Sequence, residues 1–519
     1  MPARWGTFQQ FFLLLLGALL YTLAAPPYEW SVAGWFALAP LFIVVSTQSP
    51  RCAFLSGIIY SVLFCVGMAY WVYFSVAAYF PLGAPFSLFS TVLGYLFFIA
   101  SYGGCAAAGA AMLMRSASSF SSWLGIPALW VSAEFARTSL FSGFSWELLG
   151  YTQYRRLWLI QLADLTGVYG LSFLMAFASL VAARSYLAIT SSPQTSAAIK
   201  KLPWLAVGFL SGLLALTLRY GAFRVHLNEH ETAAPLTVAL IQQDTPSAQR
   251  WQRVYYARAL LQYISATQLT LAYATPHLIV WPEFALGFYL DREMALRAQI
   301  GDLTSSLRAP LLVGAPRVEN TTEGGRYYNA AYLIAPGGAV VDTYDKIRLL
   351  PFAEFRPLGL PTFQTHSPEN PSEFTPGARA TIFPLGQTSF GVTICYEITY
   401  PALTRQLARN GAQFFVNISN ESWLAPAGTA ALLQHFSMAV FRAVENRRPL
   451  ARVATLGVSG FIDAVGRIHE NSFAQAGTLL GQVVPHTEQT VYTSYGDWFA
   501  VTCVGIAGLT LVSVRLHRW

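Results

Sequence analysis

Apolar residues fall along this chain in two different rhythms. Long apolar runs lie near 9–25, 30–47, 53–76, 86–114, 122–140, 164–189 and 203–221, with an eighth near 497–514. Runs of this length predict helices that cross a hydrocarbon core of about 30 Å. From Pro235 the rhythm shortens. Leu236–Ile241 predicts a strand, and Ala248–Ala274 a long amphipathic helix with apolar residues three and four apart. Leu278–Trp281 predicts a buried strand and Arg292–Leu307 a second helix. Strands follow at Leu311–Val313, Ala330–Ile334 and Ala339–Tyr344, the last two joined by the turn Pro336-Gly337-Gly338. Phe390–Cys395 and Gln413–Ile418 predict two more strands, with helices over about 399–410 and Ala430–Glu445. This alternation predicts an α/β layered domain. The expected plan is a seven-helix membrane bundle over 1–224, a soluble domain over 225–496 and a last membrane helix over 497–519. The sequence shows no internal repeat.

Composition sharpens that division. The chain has 519 residues, 54% hydrophobic and only 11% charged, against about 25% charged in an ordinary soluble domain. Residues 1–224 hold four acidic side chains, Glu29, Glu134, Glu147 and Asp164. The net charge of +7 raises the question of nucleic acid, but no basic block exists and the basic residues sit at the ends of apolar runs. Read by the positive-inside rule, Arg4, Arg51, Arg115, Arg184, Lys200, Lys201, Arg515 and Arg518 are cytoplasmic, and 225–496 lies on the opposite side. Arg137, Arg155 and Arg156 oppose this scheme. The aromatic and Gly-rich loop that holds two of them, Ser142–Trp158, reads either as a structured arm over the soluble domain or as an interfacial loop on lipid phosphate. Glu134 and Arg137, three apart, read as a structural pair near a helix end. The first run also has the layout of a secretory signal, with Arg4 before it and Ala24-Ala25 after it.

Candidate chemistry gathers in the soluble domain. Active sites of layered α/β domains lie beyond the carboxyl ends of strands. Glu283, Lys346, Cys395 and Asn420-Glu421 each follow a predicted strand. Cys52, Cys65, Cys105 and Cys503 fall in or beside the membrane runs, so Cys395 is the soluble domain's sole cysteine and has no disulfide partner there. The sequence contains only three lysines, and Lys346 is the one in this domain. Where arginine is so strongly the default, a retained lysine points to a need for a compact ammonium. His226, His230, His277 and His435 show no metal-ligand spacing, and no cofactor or metal is expected.

Three segments then carry a resemblance: Val280-Trp281-Pro282-Glu283, Tyr344-Asp345-Lys346 leading into Leu350–Phe355, and Ile394-Cys395-Tyr396-Glu397. They resemble the nitrilase superfamily, whose catalytic set is Glu, Lys and Cys in that chain order. With membrane helices on both flanks, the whole chain is similar to the apolipoprotein N-acyltransferase family. Further points of likeness are Pro351–Leu358, Ile418-Ser419-Asn420, Trp423, Gln434-His435-Phe436 and Gly143-Phe144 through Gly150-Tyr151. One departure follows Arg448-Pro449-Leu450: the family usually has an Asn-Gly-containing stretch where this chain reads Ala454-Thr455-Leu456-Gly457.

The resemblance implies an αββα sandwich and a ping-pong acyl transfer. Cys395 is the implied nucleophile, made more acidic by the helix that begins near Thr399. Glu283 is the implied base, with its pKa raised by burial and nearby carboxylates. Lys346 is the implied oxyanion stabiliser, Glu354 and Glu397 supporting carboxylates, and Tyr396 a pocket wall. Trp251, Asn329, Trp423 and Tyr151 are the implied substrate contacts. The implied donor is a membrane phospholipid, giving up its sn-1 chain. The implied acceptor is the N-terminal amine of a diacylglyceryl-cysteine lipoprotein. The implied setting is a monomer in a bacterial inner membrane with a periplasmic catalytic domain. Water in place of the amine would make the same residues a membrane-tethered amidase.

Overall fold

A computed structural model describes residues 6–79, 82–115, 119–141, 143–190, 203–230, 233–243, 251–322, 324–356, 373–424, 428–473 and 475–516. Arg4, Lys200, Lys201 and Arg518 of the orientation argument, and Leu358 of the resemblance, lie outside them. The chain forms two compact units.

The helical unit takes in the chain up to Leu227 and returns at Tyr495. Among the described residues, five helices are long and apolar enough to cross a membrane: Thr7–Ala24, Pro50–Met68, Ala84–Arg115, Val168–Thr190 and Trp204–Glu229. Helix Ser119–Ser139 carries Glu134 and Arg137, and Trp498–Leu516 closes the chain. The run at 30–47 differs from its expected single crossing. It folds as a four-residue 3-10 turn, Ala33–Phe36, and a seven-residue helix, Ala39–Val45. At 1.5 Å per residue a helix of that length covers about 10 Å. The first helix is integral to the unit: Tyr21 stacks on Phe64 at 4.5 Å, and Leu14, Ala18 and Tyr21 are buried.

Of the segment expected to be an arm or an interfacial loop, Ser142–Trp158, residues 143–158 are described, Ser142 lying outside them, and much of the segment packs inward. Trp146, Leu148, Leu149, Tyr151 and Tyr154 are buried within the helical unit. Glu134 accepts from Leu149 N at 2.8 Å, and Arg137 donates to the carbonyls of Trp146 and Glu147. Arg155 pairs with Glu29 at 2.7 Å, and Arg156 donates to Ser31 at 2.6 Å. The three arginines that oppose the positive-inside pattern thus have protein partners, which is why their charge is a poor guide to sidedness.

The second unit, Asn228–Ser494, is built from two six-stranded sheets. In chain order the strands are β1 Leu236–Gln242, β2 Leu278–Val280, β3 Leu311–Thr321, β4 Gly324–Ile334, β5 Val340–Asp345, β6 Ile382–Leu385, β7 Thr388–Ile394, β8 Phe414–Asn420, β9 Leu450–Thr455, β10 Val458–Ile462, β11 Ile468–Phe473 and β12 Gly477–Val483. One sheet runs β12-β1-β2-β3-β4-β5 and the other β6-β7-β8-β9-β10-β11. Read in those orders, both follow the same pairing sequence: antiparallel, parallel, parallel, antiparallel, antiparallel. The repeat is one of topology, with no trace in sequence.

Side-chain alternation builds the layers. Val238, Leu240 and Leu312 of the first sheet meet Val392, Val416 and Val453 of the second in one core. Ala239, Ile241 and Val313 face the opposite way, onto helices Arg253–Leu271 and Met294–Ser306. Helices Pro401–Arg409 and Thr429–Asn446 accompany the second sheet. The unit is the expected αββα sandwich. The hairpin β3–β4 pairs eleven residues on each strand, from Leu311↔Ile334 to Thr321↔Gly324, far beyond the short strands expected there. Its outer half, Arg317-Val318-Glu319-Asn320-Thr321 against Gly324-Gly325-Arg326-Tyr327-Tyr328, is mostly polar and glycine and so lacks an apolar signature. Strands β6 and β9 to β12 are additions to the expected set: β11 is Ile-His-Glu-Asn-Ser-Phe, Arg452 interrupts β9, β6 is only four residues with a proline, and β10 and β12 contain glycine.

Candidate active site

Strand β2 stops where Pro282 removes a ladder donor. Trp281 is fixed beside it: its ring stacks on Tyr263 at 4.9 Å and its Nε1 donates to Thr267. The next residue after the proline, Glu283, turns into the interior and is 3% exposed. A close approach makes this possible. A Cβ at Gly314 would lie 2.5 Å from Pro282 O and 2.6 Å from Glu283 Cα, so only glycine fits on the adjacent strand.

Lys346 follows β5, with its backbone N–H on Asn329 O at 2.8 Å. Outside the pocket, Arg317 clamps Asp345 through two bonds of 2.8 and 2.7 Å. Inside it, Lys346 Nζ lies 3.2 Å from Glu283 Oε1 and 2.9 Å from Glu354 Oε1. Burial alone would pull this ammonium's pKa down, but Glu283 and Glu354 more than offset that and raise it. Lys346 is a fixed cation.

Cys395 begins a 3-10 turn, Cys395–Thr399, directly after β7. Its φ of +53° is left-handed, a conformation a side chain with a Cβ adopts at a cost. Phe284 (φ +51°), next to Glu283, and Phe352 (φ +65°), two before Glu354, share it. Strained backbone of this kind collects at working sites. The Cys395 sulfur sits 4.0 Å from Asn420 O. Burial, then the Glu283 carboxylate, pushes the thiol up to about 12, with Lys346 acting the other way. This differs from the expected helix-assisted thiolate. The α-helix starts only at Pro401, and the short turn between does not outweigh desolvation. Burial and Glu283 thus favour the thiol over the thiolate.

Other expected residues divide clearly. Glu354 accepts from Lys346, from Asn329 Nδ2 at 2.7 Å and from Leu350 N at 2.7 Å. Glu397 accepts from the backbone of Ile347, Arg348 and Ile394 and from Tyr344 OH, all within 2.7–2.9 Å. It joins the Lys346 end to the Cys395 end, while burial, moderated by those donors, lifts its pKa to about 7. Tyr396 is buried edge-on to Tyr400 at 5.3 Å. Trp251 is half-buried, 5.8 Å from the Phe284 ring and 6.5 Å from Tyr289. Trp423 is half-buried in the turn after Glu421. Asn329, expected against substrate, is fully buried, and its Nδ2 donates to both Glu283 and Glu354 at 2.7 Å. It spaces the two carboxylates instead. Tyr151 belongs to the helical unit and is fully buried there.

The sequence marks Asn420-Glu421 and His435 without their contacts, and leaves Phe374, Tyr327 and Arg452 unmarked. Asn420 N donates to Glu283 Oε2 at 2.7 Å, a backbone contact that no residue type announces. Phe374 and Tyr327 extend the aromatic wall begun by Phe284 and Tyr289. Arg452 and His435 both meet Glu421 in the interior; the signal available was a charged residue inside an otherwise apolar strand.

Residues 17–181 match the family described as "Apolipoprotein N-acyltransferase N-terminal domain", and 237–493 match "Carbon-nitrogen hydrolase". The apolipoprotein N-acyltransferase of Geobacter metallireducens is 35% identical over 98% of this chain and 96% of its own length. The chain belongs to the apolipoprotein N-acyltransferase family. The enzyme of that name from Methylococcus capsulatus is 29% identical over 97% of this chain and 96% of its own. Membership makes this protein an acyltransferase associated with membranes and lipid substrates. In this acyltransferase, a buried glutamate, lysine and cysteine converge from three strand ends inside the segment that matches the carbon-nitrogen hydrolases.

Proposed function

We propose that the protein moves a fatty acyl chain from a membrane phospholipid to the N-terminal amine of a diacylglyceryl-cysteine lipoprotein, through a thioester on Cys395. One observation carries this reading: Glu283, Lys346 and Cys395 are buried together, with Lys346 Nζ 3.2 Å from Glu283 Oε1 and the Asn420 peptide joining Glu283 to the Cys395 sulfur. Glu283 takes the Sγ proton as sulfur attacks the sn-1 ester carbonyl. The C–O bond breaks, and the departing glycerol oxygen receives that proton. The acceptor amine then attacks the thioester, Glu283 takes an amine proton, and the sulfur leaves and is reprotonated. Lys346 Nζ faces the developing oxyanion in both halves, a contribution of roughly 3–4 kcal/mol per well-aimed donor. Thioesters remain reactive toward amines, so the intermediate suits both halves.

Both substrates in this reading are bilayer-anchored, which accounts for apolar helices before and after the catalytic segment. In keeping with it, residues 1–224 and 497–519 are assigned to the membrane, and 225–496 to a catalytic domain. We assign the chain to a bacterial inner membrane, as a monomer with the catalytic domain in the periplasm. Trp251 and Trp423 are assigned to lipid contact.

The test is mass spectrometry of the purified protein mixed with phospholipid alone. A fatty-acyl mass on the peptide containing Cys395 is expected, cleared by adding a lipopeptide with a free N-terminal amine. No adduct would overturn the thioester. Release of free fatty acid with no amide would turn the reading to hydrolysis.

A further inference from the structure

Below Cys395 a chain of polar side chains crosses three strands without reaching solvent. Thr393, two residues before Cys395 on β7, accepts twice from Asn417 Nδ2 on β8, at 3.0 Å each. Asn417 Oδ1 accepts from Arg452 on β9, and Arg452 also donates to Glu421 and, at 3.1 Å, to Val458 O. His435, on helix Thr429–Asn446, meets the same Glu421 oxygen through Nδ1. Thr393, Asn417, Glu421, Arg452 and His435 are all 0–2% exposed. Buried ion pairs are poor sources of stability, because desolvation consumes most of the attraction. The position of this one suggests a use. Glu421 directly follows Asn420, whose N–H holds Glu283 and whose C=O faces the Cys395 sulfur. Glu421 N also donates to Thr455 O at 3.1 Å, which fixes the strand end from the other side.

We propose that Glu421, seated on Arg452 and His435, is a positioning residue that sets the Asn420 peptide and through it aims Glu283 at Cys395. This rests on the base and nucleophile roles given above to Glu283 and Cys395. Arg452 is the anchor, since it ties Glu421 to β9 and to Asn417 on β8. Gly457 is part of the device: a Cβ there would lie 1.9 Å from Glu421 Oε2, so any larger residue displaces the carboxylate. The charged groups acting on the Cys395 thiol are Glu283, Lys346 and Glu421 itself.

The experiment follows alkylation of Cys395 by iodoacetamide against pH in the full-length protein in detergent. It is read on the Cys395 peptide by mass spectrometry, because Cys52 and Cys105 are exposed. Glu421→Gln is expected to slow alkylation at pH 7 at least about ten-fold and to move the pH midpoint, as loss of a well-aimed base does. Gly457→Ala is expected to do the same without removing a charge, and Glu421→Asp to recover part of the rate. Unchanged profiles in folded Glu421→Gln and Gly457→Ala protein would overturn the proposal, even with lowered melting temperatures. So would failure of both to fold, which assigns the cluster to the fold alone. Glu283→Gln separates the two readings: if it too leaves the profile unchanged, the base assignment is what fails.

Discussion

The two sheets of the catalytic unit share one strand-pairing plan but end in opposite kinds of chemistry. The first sheet ends in Glu283 and Lys346, close to Glu354, with Asn329 as spacer. Its carboxylates surround one cation, and its ends hold a surplus of negative charge. The second ends in a buried cysteine, backed by a cluster in which Arg452 and His435 share Glu421. In the proposed reaction one half would supply proton transfer and charge, and the other a nucleophile on a rigid mount. Two joints hold the halves in register: Asn420 N on Glu283, and Glu397 between the Lys346 and Cys395 ends. The difference teaches that the repeated plan is only a scaffold, and that loops at equivalent ends set the roles.

The comparison breaks most completely at the nucleophile. Cys395→Ala is expected to abolish acyl transfer, checked by absence of the phospholipid-derived adduct, while Glu283 and Lys346 keep their pairing. Next comes the shared cation. Lys346→Met leaves two buried carboxylates without their shared cation and should destabilise the unit by about 3–5 kcal/mol, measured by chemical denaturation. Lys346→Arg should fail to restore activity, because a planar fork cannot replace a compact ammonium.

A third test uses acid. In the second sheet, burial and then Arg452 lower the His435 pKa, while Glu421, despite burial, is lowered by Arg452 and His435. A depressed folded pKa contributes stability above the unfolded value that is lost as pH falls through the folded one. Lys346 is raised, so its contribution is full below its unfolded value near 10.5 and is lost only at alkaline pH. Acidification from about pH 6.5 downward should therefore open the ends of β8 and β9 before those of β2 and β5, as read by amide hydrogen exchange. Equal loss at both would show that the halves do not titrate separately.

The smallest expected effect concerns the departure from the family pattern. Leu456 adopts φ +53°, where asparagine is tolerated and leucine is strained. Leu456→Asn should stabilise the fold by about 1 kcal/mol, measured as a shift in denaturation midpoint at constant slope.

Much of this was legible in the sequence because the decisive residues are rare in their context. A single cysteine and a single lysine in one domain, each after an apolar strand, needed no structure to stand out. The central strands β1, β2, β7 and β8 were equally plain, since burial on both faces gives each a short, largely apolar stretch. What escaped depends on contacts rather than composition. The Asn420 peptide acts through its backbone, Arg452 interrupts the apolar run of its strand, and β3–β4 extends where charged residues mask the alternation. In the helical unit, apolarity alone marked 30–47 as a crossing. A short broken helix and a buried loop have the same composition as a span.

The left-handed residues at Phe284, Phe352 and Cys395 have a consequence for the protein's history. Each holds the chain in a shape that ordinary folding selects against, by roughly 1–2 kcal/mol per residue. An inactive chain would be freed of that burden: Cys395→Gly should yield a protein that cannot form the adduct yet melts at a higher temperature than its parent. Drift without selection for chemistry would therefore run downhill, towards sturdier and silent descendants. In these three turns the working geometry and the most stable geometry are therefore different things.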